Sequence, residues 1–428
     1  MPSPKATDAL TLPGTRTPTW LDQAVFLAFL LLAFVGLSPF SPPPPAALAG
    51  AVSATGAGDL ARQLCYLAVF AAVVFGALRH QGLQAFGALP VLLLVLLAWC
   101  VVSALWSPQP AVSVRRAGLA IVLVVSTMLS IESVGTQKAL SIWRGVLLLV
   151  LFVNFASIEF IPTAVHLPGE ADPGLVGDWR GLYAHKNIAG SVGAITALVF
   201  LFSPSPRVWR KLFDIAVAAA AIGFTVMTRS KSSLGLLVLA IVAAGAYRLS
   251  WKREIDRTIA IIAGALVVTA GVVFAIADQN AIVRLFGDPQ QFTGRTEIWR
   301  AEVAFIQDHL LFGAGFGTFS NTGGLSPLHN YVGNWVAEAS HGHNGYLQLL
   351  VTIGGIGFVL AVAALIVSPA IAFGRRGDTA MKALLFSLFV FLVLHNLMET
   401  DFLEGDGVTW VAFLLMLAML YRVERGRP

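Results

Sequence analysis

The sequence predicts an all-α polytopic membrane protein with about twelve transmembrane helices, and three observations carry that prediction. Of 428 residues, 57% are hydrophobic and 12% charged, with a mean hydropathy of +0.78. A soluble core needs far less apolar residue. Runs of seventeen or more mostly apolar positions recur along the chain, a length suited to helices and unlike the ten-residue alternation of barrel strands. Basic residues also divide unevenly between alternate loops. With the N-terminus inside, 18 of the 28 Lys and Arg fall on the cytoplasmic side and 10 outside, whereas 8 of the 23 Asp and Glu fall inside and 15 outside. Both termini are therefore expected in the cytoplasm. That asymmetry accounts for most of the basic excess behind the net charge of +5, so no nucleic-acid partner is inferred.

Taken in order, residues 1–19 read as a polar cytoplasmic tail. The apolar run from Trp20 to Leu37, with basic residues before it and Ala47-Leu48-Ala49 after it, also admits a cleaved signal peptide. The parity of the later spans favours a retained span. The twelve spans are expected near 20–38, 60–78, 88–106, 114–131, 142–161, 187–203, 212–228, 232–249, 258–277, 345–368, 380–398 and 407–421, the last being short. The chain divides into spans one to nine (20–277), a large periplasmic loop (278–344) and spans ten to twelve with a cytoplasmic tail (345–428). Cys65 and Cys100 lie in apolar runs without metal spacing and read as core residues.

A loop of this length is expected to have a function. Within it, Trp299, Val303, Ile306 and Leu310 recur at helical spacing after Arg295. This predicts a helix that lies on the outer leaflet or caps the bundle. Gly313, Gly315 and Gly317 lack the preceding strand of a dinucleotide fingerprint and read as a tight, closely packed turn. The loop ends at His341-Gly342-His343-Asn344, where an apolar helix begins. The positive end of that helix disfavours imidazolium, so His343 is expected neutral and able to accept a proton. Two other readings stay open: a loose metal pair with His341, or a polar residue that only caps the helix.

Ten basic residues oppose the topology signal by facing outward. Among them Arg115, Arg116, Arg180, Lys186, Arg229 and Lys231 sit at or near outer span ends, where an anionic lipid headgroup would lie. Glu399, Asp401, Glu404 and Asp406 read as a solvated acidic turn. The spans themselves are nearly empty of ionisable residues. This favours chemistry at the outer surface over passage through the membrane, and sets a catalytic reading against a flippase or exporter.

Arg180 followed by His185-Lys186-Asn187, Gly294-Arg295-Thr296-Glu297-Ile298-Trp299, the glycines 313, 315 and 317, and His343-Asn344-x9-Gly354-x-x-Gly357 together resemble the O-antigen ligase/polymerase family. The expected twelve spans, with the large loop after the ninth, resemble it as well. The resemblance implies a metal-independent, cofactor-free glycosyltransferase of the bacterial inner membrane with its site facing the periplasm. Its donor would be an undecaprenyl-pyrophosphate-linked glycan and its acceptor lipid A-core or another lipid-linked glycan. His343 would be the catalytic base. Arg180 and Arg295, with Lys186 and Arg116, would hold the donor pyrophosphate, and His185, Asn187, Trp299, His341 and Asn344 would support them. The His185-Lys186-Asn187 variant resembles polymerases of exopolysaccharide production.

Overall fold

The computed structural model describes residues 18–41, 59–170, 173–204, 207–249, 295–333, 342–375 and 379–426. The described chain is built from helices, with an isolated bridge between Val165 and Trp179. In order these are α1 Trp20–Phe34, α2 Leu60–Gln81, α3 Val91–Val102, α4 Pro110–Val134, α5 Thr136–Phe160, α6 Lys186–Phe202, α7 Val208–Met227 and α8 Lys231–Leu249. They continue with α9 Arg295–Asp308, α10 Gly345–Val362, a π-helical turn Ala363–Val367, α11 Ser368–Gly374, α12 Thr379–His395 and α13 Val408–Glu424. Local chemistry sets several starts. Thr19 and Asp22 form a reciprocal capping box at α1, Pro110 opens α4 at a position that lacks an intrahelical acceptor anyway, and the Asn344 side chain caps α10.

Helices occupy every expected span interval except the ninth, 258–277, which lies outside the described residues. The expected count of about twelve spans is nevertheless not confirmed. Among the described residues, five segments are long and apolar enough to cross a membrane: Leu60–Ala88, Pro110–Val134, Thr136–Phe160, Lys231–Arg248 and Gly345–Gly374. Trp20–Phe34, Val91–Trp106, Lys186–Phe202 and Ala380–His395 are apolar but shorter. A 15-residue helix covers only about 23 Å of the roughly 30 Å hydrocarbon layer. α7 is long enough but carries Arg210, Lys211 and Asp214 in its first turns.

α6 and α13 form the centre. In α13 every residue from Thr409 to Leu420 is buried, and the helix packs against α4 and α12. This explains why the shortest apolar run in the sequence is the deepest element: it is covered by protein on all sides. The outer helices instead turn large apolar side chains outward, among them Phe75, Phe152, Val238 and Val359, as a lipid-facing surface would.

Ion pairs fall into two sets. One holds His80–Asp22, Arg144–Asp214, Glu132 with Arg422 and Arg425, and Glu424 with Arg375 and Lys382. The charge count assigns all of these to the inner side. The other holds Arg62–Asp406, Lys186 and Arg229 with Asp178, Arg180–Glu170, and Arg295 and His343 with Glu399, all assigned to the outer side. Among the described residues no ion pair joins the two sets.

The segment after α9 threads into a break in α10. Gly354 has φ +67, and an added Cβ would collide with the backbone at Leu311 and Phe312. Gly313 meets the same break from the other side: its Cβ would lie 2.7 Å from Gly354 N. Hydrogen bonds released by the break are remade across it. Gly355 N donates to Leu310 O at 2.7 Å and Ala314 N to Val351 O at 2.8 Å. Trp99 Nε1 donates to Ile353 O at 3.0 Å, and Trp106 Nε1 to Phe312 O at 3.1 Å. Irregular backbone in a membrane protein is tolerated where its polar groups are satisfied in this way. The close-packing reading of the glycine turn thus has a structural cause.

Gly354→Ala should therefore lower stability by roughly 2–3 kcal/mol or more, since it strains the backbone and separates the inserted loop. Thermal unfolding of detergent-purified protein measures this against Gly87→Ala, whose Cβ meets nothing within 4 Å. Equal melting temperatures for the two variants would refute the account.

Candidate active site

Glu399, in the turn between α12 and α13, is the hub of the site. Its Oε2 lies 3.0 Å from His343 Nδ1. Its Oε1 accepts from Arg295 Nη2 at 2.8 Å and from Asn187 Nδ2 at 2.6 Å. Arg295 Nη1 also donates to Met398 O at 2.6 Å. Burial alone would raise the Glu399 carboxyl. The hydrogen bond with His343 and the charges of His343, Arg295 and His395 outweigh it and hold the group well below the usual carboxylate range. An ionised Glu399 can only accept, so His343 Nδ1 is the donor and Nε2 is the ring nitrogen left for other partners.

Four elements deliver these side chains. α9 contributes Arg295 and, one turn on, Trp299, whose Nε1 donates to Gly342 O at 2.7 Å. The turn before α10 contributes His343, a non-glycine residue held at φ +52, a conformation that costs of order 1–3 kcal/mol. Asn344 Oδ1 takes Tyr346 N and Leu347 N at 3.0 and 3.1 Å, while its Nδ2 donates to Leu397 O. The α12–α13 turn is fixed by Gly345 N donating to Asn396 O and Glu399 O, and by Asn396 Oδ1 capping Asp401 N and Phe402 N. The fourth element is the start of α6. There the His185 side chain caps the helix by accepting from Asn187 N at 3.2 Å. Burial pushes the His185 imidazole down to about 4, against the opposing pull of Glu399, so it stays neutral.

The other expected site residues lie around this hub in different ways. Lys186 Nζ donates to Asp178 Oδ2 at 2.6 Å, and its backbone N–H to His166 Nε2 at 3.2 Å. Arg180 is fully buried. Its Nε and Nη1 donate to Thr163 O and Ala184 O at 2.7 and 3.1 Å, Glu170 lies 3.6 Å from Nη2, and among the described residues Nη2 has no hydrogen-bond partner. The His166 and His185 rings, 5.5 Å apart, join this group to the start of α6. Arg116 instead grips the glycine turn, donating to Gly317 O and, at 3.0 Å, to Asn321 O. His341 lies outside the described residues. Among the described residues, no three His, Cys, Asp or Glu side chains gather as a metal-holding group.

Sequence reasoning misses Glu399. The solvated-turn reading of its loop is corrected by a side chain only 12% exposed with three partners. Those partners lie 56, 104 and 212 positions away, so no local pattern marks the residue. A usable signal was its place four residues after His395 at an outer span end, facing outward arginines.

Residues 215–362 match the family model described as O-antigen ligase. The matched stretch runs from within α7 to the end of α10 and includes Arg295, Trp299 and His343. No curated protein matches the chain.

The depressed Glu399 carboxyl gives a pH-dependent prediction. Its stabilising contribution is present above the unfolded value of 4.5 and is lost as pH falls through the lower folded value. Wild type should therefore melt above Glu399→Gln at neutral pH, with the gap narrowing only below about 4.5. A gap independent of pH across that range would show that the carboxylate charge is not what Gln removes.

Proposed function

We propose, from the premise that the chain belongs to the O-antigen ligase/polymerase family, that it is an inner-membrane glycosyltransferase whose site faces the periplasm. It moves a glycan from undecaprenyl pyrophosphate to a sugar hydroxyl on lipid A-core or on another lipid-linked glycan. The observation that carries this reading is the His343–Glu399 contact of 3.0 Å, set where a polar loop meets an apolar helix. In the reaction the acceptor oxygen bonds to the anomeric carbon of the donor. The bond from that carbon to the pyrophosphate oxygen breaks, its electron pair leaving on phosphate. The hydroxyl proton passes to His343 Nε2, and Glu399 stabilises the imidazolium that results. A positioned base contributes about 10²–10⁴-fold, or roughly 3–5 kcal/mol.

Arg295 belongs beside the leaving group because guanidinium matches phosphate oxygens in pairs and cannot lose its charge at working pH. Arg180 in the loop before α6, Lys186 at the start of α6 and Arg116 in the second turn of α4 complete the proposed donor set, each now held by loop carbonyls or by Asp178. Preorganised cations of this kind do the electrostatic work that a magnesium ion would otherwise supply, so the reaction needs no metal. The excess of basic residues in alternate loops supports the orientation. The packing of α9 on α10 beside His343 supports a cover that limits hydrolysis of the donor. The His185-Lys186-Asn187 sequence favours a polymerase, and the glycan lost in a deletion strain, surface lipopolysaccharide or secreted polymer, decides between the two.

With purified protein, lipid-linked donor and acceptor, His343→Ala should lower transfer by about 10²–10⁴-fold while donor binding persists. Arg295→Lys should retain part of the activity that Arg295→Ala loses, because Lys keeps the charge but not the paired donors. Turnover should be unchanged in EDTA. Near-normal transfer by His343→Ala would overturn the base assignment, and loss of wild-type turnover in EDTA would overturn metal independence. Reporter fusions should read periplasmic after Gly324 and cytoplasmic after Arg375; the reverse pattern would put site and donor on opposite sides.

A further inference from the structure

A second carboxyl lies against the turn that carries His343 and has no role in the reaction above. Glu302 sits on the face of α9 that presents Arg295 and Trp299, at spacing i, i+4 and i+7. It is 1% exposed, and among the described residues neither carboxyl oxygen has a hydrogen-bond partner. Its carboxyl is pressed against Gly342: the three atoms nearest to a Cβ built on that glycine are Glu302 Oε1, Cδ and Oε2, all well inside van der Waals contact. Any side chain at position 342 would occupy the space of the carboxyl. Trp299 holds the same glycine by its carbonyl, so α9 grips the residue before His343 at two points.

We propose that Glu302 is a positioning residue for the general base: wedged against Gly342, its carboxyl holds the turn that sets the His343 ring against Glu399. The inference rests on the reading of His343 as that base. The arrangement requires an uncharged Glu302, because an ionised carboxylate without partners is not tolerated in such a site. Burial, with no charge contributing, pushes the group up to about 8. The titratable groups on its own helix are Arg295, Glu297, Arg300 and Asp308, and the elements packed on that helix add His343 at the turn, Tyr346 on α10 and His329 on the 3-10 turn Pro327–Asn330. Glu302 is therefore protonated at neutral pH. As pH rises through about 8 it ionises, leaves its seat against Gly342, and frees the turn.

Two measurements on the full-length protein test this. The first needs no substrate: carbethoxylation of His343 by diethyl pyrocarbonate, followed by peptide mass spectrometry from pH 6 to 9. In wild type the rate per neutral imidazole should rise near pH 8 as the turn is freed. In Glu302→Gln, which keeps the shape and cannot ionise, it should stay flat. The same rise in both proteins, or none in wild type, overturns the proposal. The second is transfer from an undecaprenyl-pyrophosphate-linked glycan. Wild-type kcat should fall above pH 8 with KM little changed, and Glu302→Gln should lack that limb. Gly342→Ala should lower kcat by up to about 100-fold, the scale of a displacement near 1 Å, and adding Glu302→Ala should recover part of the loss. No recovery, with both proteins folded, counts against the wedge. If wild type carries out no transfer while the carbethoxylation break is present, the catalytic reading fails and the positioning role stands.

Discussion

The site depends on one carboxylate. Glu399 is almost withdrawn from water, and a lone charge there would cost several kcal/mol. It is stable because Arg295, His343 and Asn187 converge on its two oxygens. Each of those side chains belongs to a different element, so the carboxylate ties α6, α9 and the entry to α10 to the α12–α13 turn. Removing one partner leaves buried charge poorly compensated, typically a 3–5 kcal/mol penalty. The same interactions that hold the fold together at this end therefore fix the histidine tautomer.

A hub of this kind needs a frame that does not yield, and the glycine-mediated contact between the 310–314 segment and α10 supplies it. α10 starts at the site, with its first turn capped by Asn344. Nine residues on, it opens at Gly354 to admit the backbone that follows α9. The helix that carries His343 at its start and the helix that carries Arg295 are thus locked to each other by main-chain hydrogen bonds, with indole N–H groups from α3 and its extension closing the rest. Main-chain contacts hold geometry more tightly than long side chains, since few rotamers need to be frozen. The distance from His343 to Arg295 is set by this lock together with Glu399.

Much of this frame was legible in the sequence. Apolar runs gave helix positions because burial in lipid or protein demands them. Gly313, Gly315 and Gly317 stood out because close packing excludes a Cβ, whereas Gly354 entered only through the family resemblance. His343-Asn344 marked a helix start because a side-chain amide caps free N–H groups. What stayed hidden depended on residues far apart in sequence. Glu399 reads as one acid among four until Arg295 is placed beside it. Arg180 and Arg116 read as outward charge, yet the fold draws them onto backbone carbonyls of loops. The helical stripe from Trp299 holds at Val303 and Ile306, which are buried. It fails at Leu310, which lies beyond the end of α9 and is exposed. Periodicity also says nothing of Glu302, a charged residue type on the buried side of the same helix.

Glu302 and Glu399 stand in opposite environments beside one histidine, and the contrast bears on how the site manages protons. Glu399 is surrounded by donors and stays charged; Glu302 is buried against the Gly342 backbone and stays neutral. Two carboxyls pushed apart in this way take different roles at the same pH. The charged one orients the ring and balances the proton it gains. The neutral one adds no second buried negative charge at the turn and acts through its shape, against Gly342. One carboxyl thus reaches the His343 ring itself, as the counter-ion for the product of proton transfer, while the other reaches only the backbone one residue before it, so charge and position are supplied by separate groups.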